Sequence, residues 1–127
     1  MGGLQTNGKV RPMKYALLVY ENEQAYGGSD MTLPARQKMV AEHKAFQKDM
    51  GAAAVGGAGL KDTSATTTIR TANGKQTIHD GAFAESKEQL GGFYLVDVPD
   101  LDAAIALAKK LPVLKDGAVE IRPLITM

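Results

Sequence analysis

The chain of 127 residues contains no cysteine and no tryptophan. Without cysteine it can form no disulfide framework, no thiolate metal site and no cysteine nucleophile. Disulfide-dense secreted domains are therefore excluded. We expect the protein in the cytoplasm, a compartment compatible with a cysteine-free chain.

An excess of charge of one sign is also lacking, because 15 lysine and arginine residues balance 14 aspartate and glutamate residues, giving a net charge of +1. Nucleic acids and acidic membrane surfaces attract proteins through a basic field, so we expect neither as a partner. Long apolar runs are missing as well. Runs such as residues 16–19 are far shorter than the roughly 20 residues of a membrane-spanning helix.

The beginning of the chain differs in composition from the rest. Residues 1–12 contain three glycines, no acidic residue and no helical or strand periodicity. We predict a disordered leader there, or a remnant of recombinant expression. The remainder, residues 13–127, has a length typical of a single domain, about 100–150 residues.

Hydrophobic periodicity and turn residues predict the order of helices and strands. Strands are expected at residues 15–20, 52–60, 66–71, 75–79, 91–98 and 118–125, and helices at residues 32–50 and 100–111. Thr32 and Asp100 are the expected N-caps, and Gly51 ends the first helix. Asn73-Gly74 predicts a type I′ hairpin, because both central residues of that turn need positive φ.

Without the hairpin, the order is βαββαβ, the ferredoxin-like arrangement of the α+β class. Both helices then cover one face of an antiparallel sheet. Adjacent strand residues point to opposite faces, yet Leu17 and Leu18 are both apolar, as are Tyr94 and Leu95. A sheet that is apolar on both faces predicts a homodimer packed sheet to sheet. The alternative is that the hairpin or a terminus covers the second face within one chain.

One segment is similar to a known family signature. Residues 80–94 read DGAFAESKEQLGGFY, which resembles the YCII-related family in its DGPF-domain branch. That branch typically reads DGPFAETKE, followed by a glycine pair and an aromatic strand. The resemblance extends over residues 14–125. It departs at Ala82, where the signature has proline, and at Ser86, where threonine is frequent. Since proline fixes φ, we expect this loop to be less rigid than in the family.

The resemblance implies a dimeric α/β barrel built from two ferredoxin-like halves. The family's biochemical function is mostly unassigned. Related members have been linked to lyase or dehydrochlorinase chemistry, and the fold is shared with muconolactone-isomerase-like proteins. Some members are described with a His–Asp pair in a cleft, and DGPF-branch proteins are often associated with sigma-factor genes.

The candidate catalytic residues are His43 and Asp80. His43 lies on the predicted inward face of the first helix with Met39, Phe46 and Met50. It is either a core histidine bonded to backbone or water, or a general acid or base, because imidazole changes protonation near neutral pH. Asp80 is either a turn carboxylate or the partner of His43 in space.

The candidate ligand-binding residues are Phe83, Glu85, Lys87 and Glu88. Such a run of charges is usually a solvated surface. The alternative is that Lys87 binds an anionic group of a ligand while Glu85 or Glu88 orients it. Phe83 is then the apolar wall of the site or a plug in the core.

No metal and no cofactor are expected. A metal site is conceivable from His43, Asp80 and a nearby glutamate, but their spacing is not typical of metal ligands. Residues 51–59 lack the lysine of a phosphate-binding P-loop, and no G-x-S-x-G element occurs.

The residues support two functions. One is a small-molecule-binding protein that acts as a cofactor-free lyase or isomerase on a small, anionic metabolite, with His43 and Asp80 handling the proton. The other is a non-catalytic ligand-binding or regulatory dimer linked to transcription control.

Overall fold

The computed structural model describes residues 13–25, 31–82, 87–114 and 116–125. The leader predicted at residues 1–12 lies outside them. The strands and helices are β1 (Met13–Glu21), α1 (Leu33–Met50), β2 (Ala54–Gly59), β3 (Thr67–Ala72), β4 (Lys75–Asp80), β5 (Gln89–Val98), α2 (Leu101–Lys110) and β6 (Ala118–Pro123). Short 3₁₀ turns lie at Glu23–Ala25, Gly51–Ala53 and Thr63–Ala65.

The strands form two antiparallel sheets. The larger sheet has the order β2-β5-β1-β6, and β3 and β4 form a separate two-stranded sheet. Two helices with antiparallel sheets confirm the α+β prediction. The described residues of one chain do not close into a barrel. The last strand ends at Pro123, two residues earlier than expected, and lies at an edge of its sheet, where a residue without an N–H is tolerated.

The hairpin has the turn predicted at Asn73-Gly74. Asn73 and Gly74 have φ values of 51° and 76°, as a type I′ turn requires. Ile69 consequently lies opposite Ile78 across the two strands. Both isoleucine side chains are exposed, so this pair contributes no core in the described chain.

Local capping residues fix the ends of the helices. The Thr32 hydroxyl accepts a hydrogen bond from the Ala35 amide at 3.3 Å, which caps α1. Gly51 follows α1 with a φ of 55°, which glycine adopts without strain. The Asp100 carboxylate caps α2 by accepting from the Ala103 amide at 2.9 Å. All three capping predictions are confirmed.

The core lies between the helices and one face of the larger sheet. Alternation along β1 and β5 directs every second side chain toward the helices. The buried cluster comprises Tyr15, Leu17, Val19, Phe46, Met50, Tyr94, Val96, Val98, Ala104 and Leu111. Leu17 and Val96 have no exposed surface, and burying a side chain of this kind stabilises the fold by about 1.5–3 kcal/mol.

The helix face predicted to point inward is only partly buried. Phe46 and Met50 are buried, whereas His43 and Met39, about one and two turns before Phe46, remain half-buried. The half of α1 that carries Met39 and His43 therefore leaves a gap above the sheet. That gap is the candidate site.

Candidate functional site

A cavity of about 570 Å³ lies between α1 and the neighbouring strands β2, β5 and β1. Its walls are mostly apolar. The helix contributes Met39, Val40, His43, Lys44 and Gln47, and the strands and adjoining residues contribute Val19, Glu21, Ala54, Gly56, Gly57, Ala58, Gly59, Leu60, Gly91, Gly92, Phe93 and Tyr94.

Glycines line the sheet side of this space. Gly57, Gly59 and Gly92 lie on the face of the sheet that is directed toward α1. Gly59 has free space in front of it, since an added Cβ would meet no atom within 4 Å. The strand expected at residues 52–60 is confirmed as β2, which lies at an edge of the larger sheet.

Three polar side chains meet at one wall of the cavity. His43 Nδ1 lies 2.7 Å from the Tyr94 hydroxyl, and Gln47 Nε2 donates to the same hydroxyl at 3.3 Å. The imidazole and phenol rings are nearly parallel, with an interplanar angle of 17° and centroids 6.0 Å apart. Phe46 packs edge-on against Tyr94 with centroids 5.2 Å apart. This polar cluster of His43, Gln47 and Tyr94 is thus held against the core.

The sequence places these groups through two periodicities. His43 and Gln47 are four residues apart, which puts both on one face of α1. Tyr94 alternates with the buried Val96 and Val98 along β5, so it faces the helix. Sequence reasoning missed Tyr94 and Gln47. The available signals were the i+4 spacing from His43 and the shared parity of Tyr94 with Val96.

Glu21 supplies a carboxylate to the cavity wall. One oxygen, Oε2, accepts a hydrogen bond from the Leu114 amide at 2.7 Å, which anchors the segment before β6. The other, Oε1, lies beside Gly91, where an added Cβ would approach it to 3.1 Å. Lys44 also lines the cavity, so the cavity wall contains one basic residue, Lys44, and one acidic residue, Glu21. Sequence reasoning did not single out Glu21, which follows the apolar part of β1.

Comparison with known proteins gives the family. The family model of the YCII-related domain matches residues 13–127. The chain belongs to the YCII-related family. A similar relative is an uncharacterized protein of Rhizobium meliloti (strain 1021), 36% identical over 116 residues, which are 88% of this chain and 92% of the relative. Because this relative is itself uncharacterized, it indicates no activity for the chain. The assignment to the DGPF branch stays a prediction.

The predicted site residues of this YCII-related protein do not all meet in the cavity. His43 lines it, and its described hydrogen bond is to Tyr94. Asp80 is exposed at the end of β4, opposite Thr67, and is not among the lining residues. Lys87 and Glu88 are exposed and do not line the cavity either. Phe83 and Glu85 lie outside the described residues.

The signature segment, residues 80–94, nevertheless ends in the cavity wall, since residues 91–94 line the cavity. After Asp80, the Gly81 amide donates to the Thr66 carbonyl oxygen at 2.8 Å. The Thr66 amide in turn donates to the Thr63 carbonyl oxygen. The amide and hydroxyl of Thr63 donate to the Glu23 carboxylate at 2.9 and 2.7 Å. Further along the segment, Gln89 pairs with the cavity residue Glu21. Gly81 and Gln89 are therefore both linked to residues 21–23, at the end of β1 and directly after it.

The described residues contain no group of three or more histidine, aspartate and glutamate side chains close enough to hold a metal ion. They also contain no helix that is both long and apolar enough to cross a membrane.

Proposed function

We propose that this YCII-related protein binds a small molecule in the cavity beneath α1. The observation that carries the proposal is the cavity of about 570 Å³ with the hydrogen-bonded His43–Tyr94–Gln47 cluster in its wall. Ligand sites in proteins are typically clefts of about 300–1,000 Å³, mostly apolar, with a few polar groups that orient the ligand. The cavity has this composition.

A catalytic version of the proposal assigns proton transfer to His43. Its ring is oriented by Tyr94, and an oriented imidazole within reach of a bound molecule can act as a general acid or base. The reaction would be that of a cofactor-free lyase or isomerase. The pairing of His43 with Asp80 stays a prediction, as do the contacts of Phe83, Glu85, Lys87 and Glu88 with a small anionic metabolite.

The alternative is a non-catalytic ligand-binding or regulatory dimer linked to transcription control. The cavity serves both versions equally. They differ in whether substitution of His43 affects turnover or only affinity. Without turnover of any bound molecule, the regulatory version is favoured. The cytoplasmic location remains part of either version.

A homodimer of ferredoxin-like halves, which could complete a barrel, is also part of the proposal. The strand order β2-β5-β1-β6 with both helices packed on one face supports it. On the other face Leu18, Phe93 and Leu95 are only half-buried. On that face, too, Asp97 Oδ1 is buried and has no hydrogen-bond partner in the described chain. Such an atom is costly to leave unpaired. A second copy would cover the apolar residues and bring a hydrogen-bond donor to this oxygen.

A ligand screen by thermal shift tests the binding proposal, with His43→Gln as the variant. We expect some small carboxylates or ketones to raise the Tm of the wild type by about 5 °C at concentrations roughly ten times Kd. The shift should fall to about half in His43→Gln, as expected for a roughly fivefold weaker Kd after loss of one neutral hydrogen bond. The matched control is His79→Gln, which changes the other histidine, exposed on β4, and should respond like the wild type. Equal shifts in all three proteins would place binding elsewhere and contradict the proposal.

A further inference from the structure

The hydrogen bonds around Tyr94 favour one tautomer of neutral His43. The Tyr94 hydroxyl has one hydrogen to donate and lone pairs to accept. Gln47 Nε2 donates to it at 3.3 Å and, as an amide nitrogen, cannot accept its hydrogen. The other described hydrogen bond of this hydroxyl is to His43 Nδ1 at 2.7 Å. Within this cluster, Nδ1 is therefore the acceptor available to the hydroxyl hydrogen.

A neutral imidazole that accepts at Nδ1 carries its proton on Nε2. Tyr94 is at the edge of the buried core, where an unsatisfied hydroxyl would be costly, so this direction of the hydrogen bonds is favoured over the reverse. Nε2 is then the nitrogen of His43 that remains for a molecule in the cavity. It offers that molecule a donor.

We infer that Gln47, acting through Tyr94, holds His43 in the tautomer with its proton on Nε2, so that the cavity takes a molecule presenting a hydrogen-bond-accepting oxygen to that nitrogen. The oxygen belongs to a carbonyl or a carboxylate group on an otherwise largely apolar molecule, in keeping with the walls. This inference rests on the proposed function and deepens it. Gln47 is a positioning residue in this arrangement.

The tautomer is measured by ¹⁵N NMR of the histidine rings, at a pH where both imidazoles are neutral. His79, exposed on β4, is the internal reference, and His79→Gln assigns the two sets of signals. In the wild type we expect His43 to show a protonated Nε2 and an unprotonated Nδ1 without averaging. A protonated Nδ1, or an average like that of His79, would overturn the inference.

The variant Gln47→Glu reverses the expected hydrogen-bond direction with almost no change in size. Its ionised carboxylate only accepts, so the Tyr94 hydroxyl should donate to it and His43 Nδ1–H should donate to Tyr94. The proton of His43 should then move from Nε2 to Nδ1. A role of Gln47 limited to helix stability would leave the tautomer unchanged, since glutamine and glutamate have similar helix propensities. An unchanged tautomer would therefore overturn the positioning role.

Two probes of matched shape test the ligand class: acetophenone has a carbonyl oxygen, and isopropylbenzene lacks it. Acetophenone should shift the His43 Nε2 resonance and bind about fivefold more tightly, the effect of one neutral hydrogen bond. Equal binding of both probes would overturn the ligand class while leaving a binding cavity intact. If neither probe shifts the methyl signal of Met39, which lines the cavity, the proposed function and this inference both fail.

Discussion

Gly57 and Gly59 are two residues apart on β2 and face the same side, yet they have different reasons for lacking a side chain. Gly57 has a φ of 145°, and a Cβ added to it would lie 2.5 Å from the Phe93 carbonyl oxygen. Gly59 has no such contact, since its missing side chain faces free space. The first glycine is required by the backbone, whereas the second keeps the cavity open.

Substitution of these two glycines by alanine should give opposite results. We expect Gly57→Ala to lower the free energy of unfolding by about 3 kcal/mol, because it adds both backbone strain and a clash. Gly59→Ala should change it by no more than about 0.5 kcal/mol. Urea denaturation of the two variants provides the comparison. Equal destabilisation would mean that the backbone around Gly57 is not confined as described.

At the scale of elements, helix ends and the hairpin were predictable because their signals are local. Thr32 lies three residues before the amide it caps, and Asn73-Gly74 is itself the turn. The polar cluster was not predictable in the same way. Tyr94 and Gln47 are 47 residues apart, and only the packing of α1 against β5 brings them together. For Asp80 the sequence signal is local, but the structure does not place the residue in the cavity. The family signature that begins at Asp80 suggested a site there, whereas Asp80 is exposed at the end of β4.

The N-cap of α1 gives a prediction at this scale. Thr32→Ala removes the hydroxyl that accepts from the Ala35 amide and should lower the free energy of unfolding by about 1 kcal/mol. Thr32→Ser keeps the hydroxyl and is the control. Chemical denaturation followed by circular dichroism measures both. If serine were as destabilising as alanine, the hydroxyl would not be the capping group.

At the scale of the whole molecule, the two faces of the larger sheet differ in what covers them. One face is packed against both helices through the buried cluster. The other combines half-buried Leu18, Phe93 and Leu95 with the unpartnered Asp97 oxygen. Composition and strand parity could predict that both faces are apolar. They could not predict an unpartnered carboxylate oxygen, which depends on the burial of one atom.

The proposed dimer predicts a specific sensitivity of this second face. Leu95→Glu places a charge where the two sheets would meet and should shift the protein from dimer to monomer in sedimentation equilibrium. Ile78→Glu is the matched control, because Ile78 is 72% exposed on the separate hairpin sheet and should leave the dimer intact. A wild-type monomer would contradict the dimer, and dissociation by both variants equally would contradict its location.

The most direct test of the central claim, that the cavity beneath α1 binds a small molecule, uses methyl NMR of labelled methionines. Met39 lines the cavity, whereas Met50 lies in the core and serves as the internal control. We expect mixtures of small carboxylates and ketones to shift the Met39 methyl signal while Met50 is unaffected. Gly59→Val, which adds a branched side chain at the cavity wall, should reduce the shift. If no mixture moves Met39, or if Gly59→Val leaves the shift unchanged, the cavity is not the binding site.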